Sequence, residues 1–243
     1  MGPAALDALL KSQPALWRGC DRYSEQASLP TGFAVLDNAL PCGGWAPGGV
    51  TELLLDQHGI GEFSLLLPGL RDVTSTDSNT LPKSSQGQGR WAALINPPHI
   101  PYAPAFINAG VQLSRLLIID STDDTETLWA SEQVLRSGLF GAVVTWTQRS
   151  NTRQQRRLQL AAESGKSWAI VYRPLHARRE HSPVSTRICL EVTDQRLKLD
   201  IIKVRAGNPQ TIYIEPEEFD ASQGAEWPVS SPTMNTHGTN SPD

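Results

Sequence analysis

The residues best placed to do chemistry stand just after residues 50–55. Val50-Thr51-Glu52-Leu53-Leu54-Leu55 is a β-branched and apolar run that predicts a buried strand. A glycine-containing loop, 56–62, follows it, and a helix is expected from Phe63 to Leu70. Strand, glycine loop and helix in that order form the setting in which backbone N–H groups can close around a phosphate. A working cradle needs G-x-x-x-x-G-K-[ST]: glycines for the tight backbone, lysine for the β and γ phosphates, and a hydroxyl for magnesium. This loop reads Asp56-Gln57-His58-Gly59-Ile60-Gly61-Glu62-Phe63, with two acids and no base apart from histidine. Other candidates carry less. Asp120, Asp123 and Asp124 follow a strand and could attract magnesium, but they read better as acids at a helix N-terminus. His99, His176 and His181 have no metal-ligand spacing, and Cys20, Cys42 and Cys189 form no C-x-x-C pair. No G-x-S-x-G occurs. The residues alone therefore predict no catalytic group, no metal and no cofactor.

The elements that would position these residues alternate. Strands are expected at 91–95, 116–119, 142–146 and 168–172, with helices at 105–109, 124–137 and 151–164 between them. That order predicts an α/β fold with a mainly parallel sheet flanked by helices. Three further strands, 188–192, 197–204 and 211–214, have no helices between them, so the sheet should end in antiparallel hairpins. Residues 4–18 read as a short amphipathic helix, with 19–28 as a linker. Residues 73–89 are rich in Ser, Thr, Gln and Gly and read as a flexible insertion. From Pro216 to Asp243 the chain is polar and acidic and reads as a disordered tail. Periodicity places Trp45, Trp91, Trp129, Trp146 and Trp168 mostly in the core, leaving Trp17 and Trp227 as candidate partner anchors.

The charge is unevenly spread. Residues 1–135 carry 7 basic and 14 acidic side chains, residues 136–205 carry 14 and 5, and residues 206–243 carry 6 acids and no base. A basic block between acidic ones suits an anionic or electrostatically docked partner, and equally a solvated basic face. Arg149, Arg153, Arg156 and Arg157 share one side of the 151–164 region. A solvated surface, protein docking and DNA contact all remain open there, although no aromatics interleave for base stacking. No run of about 18 apolar residues suggests a membrane span, and the N-terminus lacks a secretory pattern, so a cytoplasmic location is expected.

The stretch from Leu29 to Leu67 resembles the opening of the RecA ATPase core. Thr31-Gly32, Leu36-Asp37, Leu40 with Gly43-Gly44, Pro47-x-Gly49 and Glu52-Leu53 keep that family's order. The resemblance covers about residues 29–215 and implies a RecA-like domain there. Against the family's phosphate loop only Gly61 keeps its place: Asp56 stands at the first glycine, Glu62 at the lysine and Phe63 at the hydroxyl. The place of the family's catalytic glutamate falls near Pro98. That of its magnesium-holding aspartate falls at Thr145 or Trp146. The resemblance thus implies a degenerate site, with Gly59 inside it, that binds and hydrolyses no ATP.

Two RecA-like bacterial families without ATP chemistry share further features. These are the Arg90-Trp91 start, Leu135-Arg136-x-Gly138, the Val-Val-x-Trp ending at Trp146, and Arg173-Pro174. One is the translesion-synthesis accessory group ImuA; the other is the SOS division inhibitor SulA, which binds FtsZ. The Leu6–Leu10 start, the Leu29–Glu52 segment and the strands of 186–214 are more similar to the longer ImuA group. The expectation is therefore a non-catalytic accessory of a DNA-damage-induced mutagenic polymerase complex. Its implied partners are a Y-family-like protein, an error-prone replicative-type polymerase and, more remotely, RecA. The alternative is a SulA-like inhibitor that binds FtsZ. Candidate contact residues are Trp17, Arg90, Arg115, Arg149, Arg153, Arg156 and Arg157.

Overall fold

A computed structural model describes residues 28–76 and 89–223. The 4–18 helix, Trp17, Cys20, most of the 19–28 linker, residues 77–88 and the tail from 224, with Trp227, lie outside the described residues. Sixteen positions separate Leu29 from Trp45, yet the two pair as an isolated bridge and open the fold. Between them Asp37 accepts the Thr31 N–H at 2.9 Å, and the Thr31 hydroxyl accepts the Phe33 N–H at 3.1 Å. These bonds set helix α1 (Ala34–Ala39) against the sheet through Leu36.

Eight strands follow: β1 (Val50–Leu55), β2 (Trp91–Ile95), β3 (Leu116–Ile119), β4 (Phe140–Trp146), β5 (Trp168–Pro174), β6 (Thr186–Thr193), β7 (Arg196–Val204) and β8 (Gln210–Ile214). They form one sheet in the order β3-β2-β4-β5-β1-β6-β7-β8. The pairs from β3 through β6 are parallel, while β6–β7 and β7–β8 are antiparallel. β1 is buried at all six positions, because it lies between β5 and β6 and both its faces are covered. The mixed α/β architecture with C-terminal hairpins is thus as expected.

Alternation along the strands divides the core. Leu53, Leu55, Leu94, Ile170 and Tyr172 face one side and pack with α1, with helix α2 (Leu67–Thr74) and with Phe106 of helix α3 (Ala103–Asn108). Ala93, Val143, Ala169 and Val171 face the other side, against helices α4 (Asp124–Arg136) and α5 (Thr152–Gly165). On that second side sits a buried ionic cluster. Glu52 of β1 accepts from Arg173 of β5 at 2.8 Å and from Arg187 of β6. Arg173 also reaches Glu180 at 2.7 Å, and Arg187 donates to the Ala177 carbonyl at 2.7 Å. The cluster fastens the 3-10 turn Leu175–Arg179 over the sheet.

Several expectations need correction. The helix after the loop starts at Leu67 rather than Phe63, after turns over residues 61–66. Val73 and Thr74 are buried in that helix, so the insertion begins later than residue 73. Pro216–Gln223 is a helix, α6, whose Phe219 ring lies 4.9 Å from that of Phe33. Phe219 buries its ring in the core, an anchor that the acidic composition of the segment does not reveal. Trp45, Trp146 and Trp168 are core residues, but Trp91 is 41 % and Trp129 59 % exposed. Trp91 is the first residue of its strand, and Trp129 lies between the buried positions Leu128 and Ala130 on the outer face of α4.

Candidate functional site

The loop after β1 emerges at the carboxyl ends of the parallel strands, where open α/β sheets place their ligands. Gly59 and Gly61 hold φ of +84° and +87°, a left-handed conformation open to glycine at little cost. That backbone turns the N–H groups of Gly59 and Ile60 inward. What they meet is the chain's own Glu62. Its carboxylate accepts from Gly59 N–H at 3.0 and 3.1 Å and from Ile60 N–H at 2.9 Å. The side ring of His58 lies 3.5 Å from the same carboxylate. The Glu62 side chain is buried, and its carbonyl oxygen accepts the Tyr172 hydroxyl at 3.0 Å. Burial by itself would raise the Glu62 carboxyl. The hydrogen bonds from His58 and the loop backbone outweigh it and hold the group below the usual carboxylate range. Burial, and then the Glu62 charge, push the Tyr172 phenol well up, so it stays a neutral donor.

The other positions that the resemblance assigns to ATP chemistry are occupied by packing. The Phe63 ring stacks on Trp146 at 6.0 Å and tilts against Phe106 at 5.5 Å, and Trp146 stacks on Tyr172 at 5.1 Å. Thr145 points to the opposite face, where its hydroxyl shares a 2.9 Å hydrogen bond with Ser131. Pro98 stands beyond β2 in the wall of a groove of about 320 Å³. Phe63, Phe106 and Trp146 line this groove together with Leu94, Pro97 and Pro101. Its rim carries Ile100, 96 % exposed, and Tyr102, 71 % exposed. Such an apolar lining with two apolar side chains standing in water suits protein contact better than phosphate.

The remaining candidates separate into structural and exposed groups. Asp123 caps α4, accepting from Thr125 N–H at 2.8 Å and Glu126 N–H at 2.9 Å. Asp124 ties down the loop after β4 through the Thr147 hydroxyl and the N–H groups of Gln148 and Arg149, at 2.7 to 3.0 Å. The aspartates thus have structural tasks, and among the described residues no group of three or more His, Cys, Asp or Glu could hold a metal. Arg90 is buried rather than offered to a partner. It donates to the carbonyls of Lys166, Gly138 and Gly165 at 2.8, 2.8 and 2.9 Å, closing the C-terminal ends of α4 and α5. Arg115 donates to the Gly89 carbonyl at 2.6 Å. Arg149, Arg153, Arg156 and Arg157 are exposed, and Arg157 also pairs with buried Glu132, which Arg136 reaches at 2.9 Å. No helix among the described residues is long and apolar enough to cross a membrane.

Sequence comparison shows what this chain is similar to. Residues 62–169 match the family described as cell division inhibitor SulA. The chain is similar to the cell division inhibitor SulA of Photorhabdus laumondii, with 26 % identity over 105 residues, 43 % of this chain and 59 % of the relative. It is 29 % identical to that of Edwardsiella piscicida over 87 residues, 36 % of this chain and 52 % of the relative. With that of Pseudomonas aeruginosa it shares 27 % over 108 residues, 44 % of this chain and 61 % of the relative. The chain thus spans between half and about three-fifths of the length of these relatives. The matched segment begins at Glu62 and takes in most of the groove lining, α4 and all of α5. This finding corrects the translesion-accessory expectation: the matching family and these relatives bear the name of division inhibitors. The features that favoured the longer group, Leu6–Leu10, Leu29–Glu52 and the strands of 186–214, fall outside the matched segment.

Proposed function

We propose that this chain is an SOS cell-division inhibitor that acts by binding FtsZ and turns over no nucleotide. Its core reads as a RecA-like frame kept for its surfaces. Support for the frame comes from interior β1, from the glycine loop at its carboxyl end, and from the helix that follows. Support for the division-inhibitor reading comes from the SulA similarity of residues 62–169.

The observation that carries the mode of action is the groove. At the mouth of β1, β2 and β4, where a nucleotide-binding sheet would present charge, this chain presents Phe63, Phe106 and Trp146 below Ile100 and Tyr102. Apolar and aromatic anchors around a concave floor are the features that dominate protein interfaces. Glu62 contributes no lysine-like attraction, and its carboxylate already fills the inward N–H groups. Retention of purified FtsZ on the immobilised chain, in buffer without nucleotide, tests the reading. Saturable retention supports it; absence of retention at micromolar FtsZ overturns it.

A further inference from the structure

We propose that the loop after β1 is a small-anion receptor whose ligand is the chain's own Glu62 carboxylate. This internal ligand shuts the loop to free anions and keeps it formed without any nucleotide. The inference deepens the nucleotide-free part of the proposed function and rests on the geometry of residues 58–62.

Three observations converge. The first is the donor set: the Gly59 and Ile60 N–H groups meet both oxygens of one carboxylate at 2.9 to 3.1 Å, and the His58 ring lies 3.5 Å from it. Consecutive backbone N–H groups aimed at one point form an anion-binding concavity. The second is backbone conformation. Gly59 and Gly61 both hold positive φ, so the loop is shaped to present those N–H groups, and nothing stands within 4 Å of a Cβ built on Gly59. The third is burial. The Glu62 residue is 6 % exposed, so its charge has left water and depends on these donors. The Tyr172 hydroxyl on the Glu62 carbonyl anchors the far side of the turn to β5. A free phosphate approaching the loop would meet occupied donors and a buried negative charge. Removing the carboxylate while leaving the backbone in place should leave a receptor for formate or phosphate.

The consequence for function is that the groove wall formed by His58, Gly59, Gly61 and Glu62 stands ready at all times. Partner binding should then need no nucleotide and should not respond to one.

Chemical rescue tests the proposal. Glu62→Ala is expected to melt about 4–8 °C below the wild type, the shift that loss of a charge-assisted hydrogen-bond set gives a chain of this size. Sodium formate or inorganic phosphate should then restore more than half of that loss in a saturable way. The wild type should respond to them no more than to sodium chloride at equal ionic strength. Equal responses of the two proteins, or a Glu62→Ala chain as stable as the wild type, overturns the proposal. Should the alanine chain fail to fold, amide hydrogen exchange on the wild type decides. Exchange at Gly59 and Ile60 slower than at exposed Gln57 supports the receptor, and equal exchange overturns it. Neither arm contains FtsZ, so their failure would leave the division-inhibitor reading standing, and failure of FtsZ binding would leave the receptor standing.

Discussion

Ile100 offers the sharpest separation of folding from binding. Its side chain is 96 % exposed, so it contributes almost nothing to the core. Ile100→Ala should leave thermal stability within about 0.5 kcal/mol of the wild type, as surface substitutions generally do. The same exposure makes nearly all its apolar surface available to a partner. The substitution removes three carbons. At about 0.8 kcal/mol for each carbon buried, an interface that covers two or three of them loses about 1.6–2.4 kcal/mol. That corresponds to a Kd for FtsZ raised about 15- to 60-fold. Tyr102→Ala, at 71 % exposure, should behave alike, since a tyrosine at an interface centre often costs more than 1 kcal/mol when truncated. The assay is fluorescence anisotropy of labelled FtsZ titrated with each variant, paired with a melting curve for each. Two variants that melt normally and bind FtsZ as the wild type does would refute the assignment of the groove rim as the contact surface.

Other perturbations test the frame. Glu52→Ala leaves the Arg173 and Arg187 guanidinium groups buried without their shared carboxylate. It should cost about 3–5 kcal/mol in denaturant unfolding, whereas Glu180→Ala, at the half-exposed end of the same cluster, should cost about 1 kcal/mol or less. Arg90→Ala removes donors from the carbonyls of Gly138, Gly165 and Lys166 and should cost about 2–3 kcal/mol, read in the same way. The stability difference between the wild type and Glu62→Gln should depend on pH with a definite sign. The carboxyl is lowered in the folded chain, so its contribution is full above the ordinary glutamate range and fades as pH falls through the lower folded value. A difference that stays constant from neutral pH down into the acid range would contradict the buried, donor-bound carboxylate.

How much of this was legible beforehand follows from what each signal reports. β1, β2 and β3 lie at the expected residues, because short apolar runs bounded by turns mark strands, even at β3, which is only partly buried. The start of α2 was misplaced because Glu62 turns back on Gly59 and Ile60, and this local bond competes with helix formation over the next residues. An acid closely following two glycines was the available signal for that bond. Helix α6 escaped notice because the burial of Phe219 that orders it, seen in its ring contact with Phe33, joins residues far apart in the chain. The groove was illegible for the same reason: Phe63, Phe106 and Trp146 gather from three separate parts of the chain. The four positions read as lost ATP chemistry were named from the sequence, but not what now fills them. Arg90 illustrates the opposite error. It was named as a candidate contact residue, yet three backbone carbonyls hold it inside.

The central claim, a nucleotide-free inhibitor of cell division that works by contact, is tested most directly on FtsZ assembly itself. Purified FtsZ is polymerised with GTP and pelleted in the presence of increasing amounts of the full chain, with no ATP present. A loss of pelletable FtsZ that saturates near one chain per FtsZ, unchanged when ATP is added, is the predicted result. Undiminished polymer at several-fold excess of the chain, or inhibition that appears only with ATP, would contradict the account.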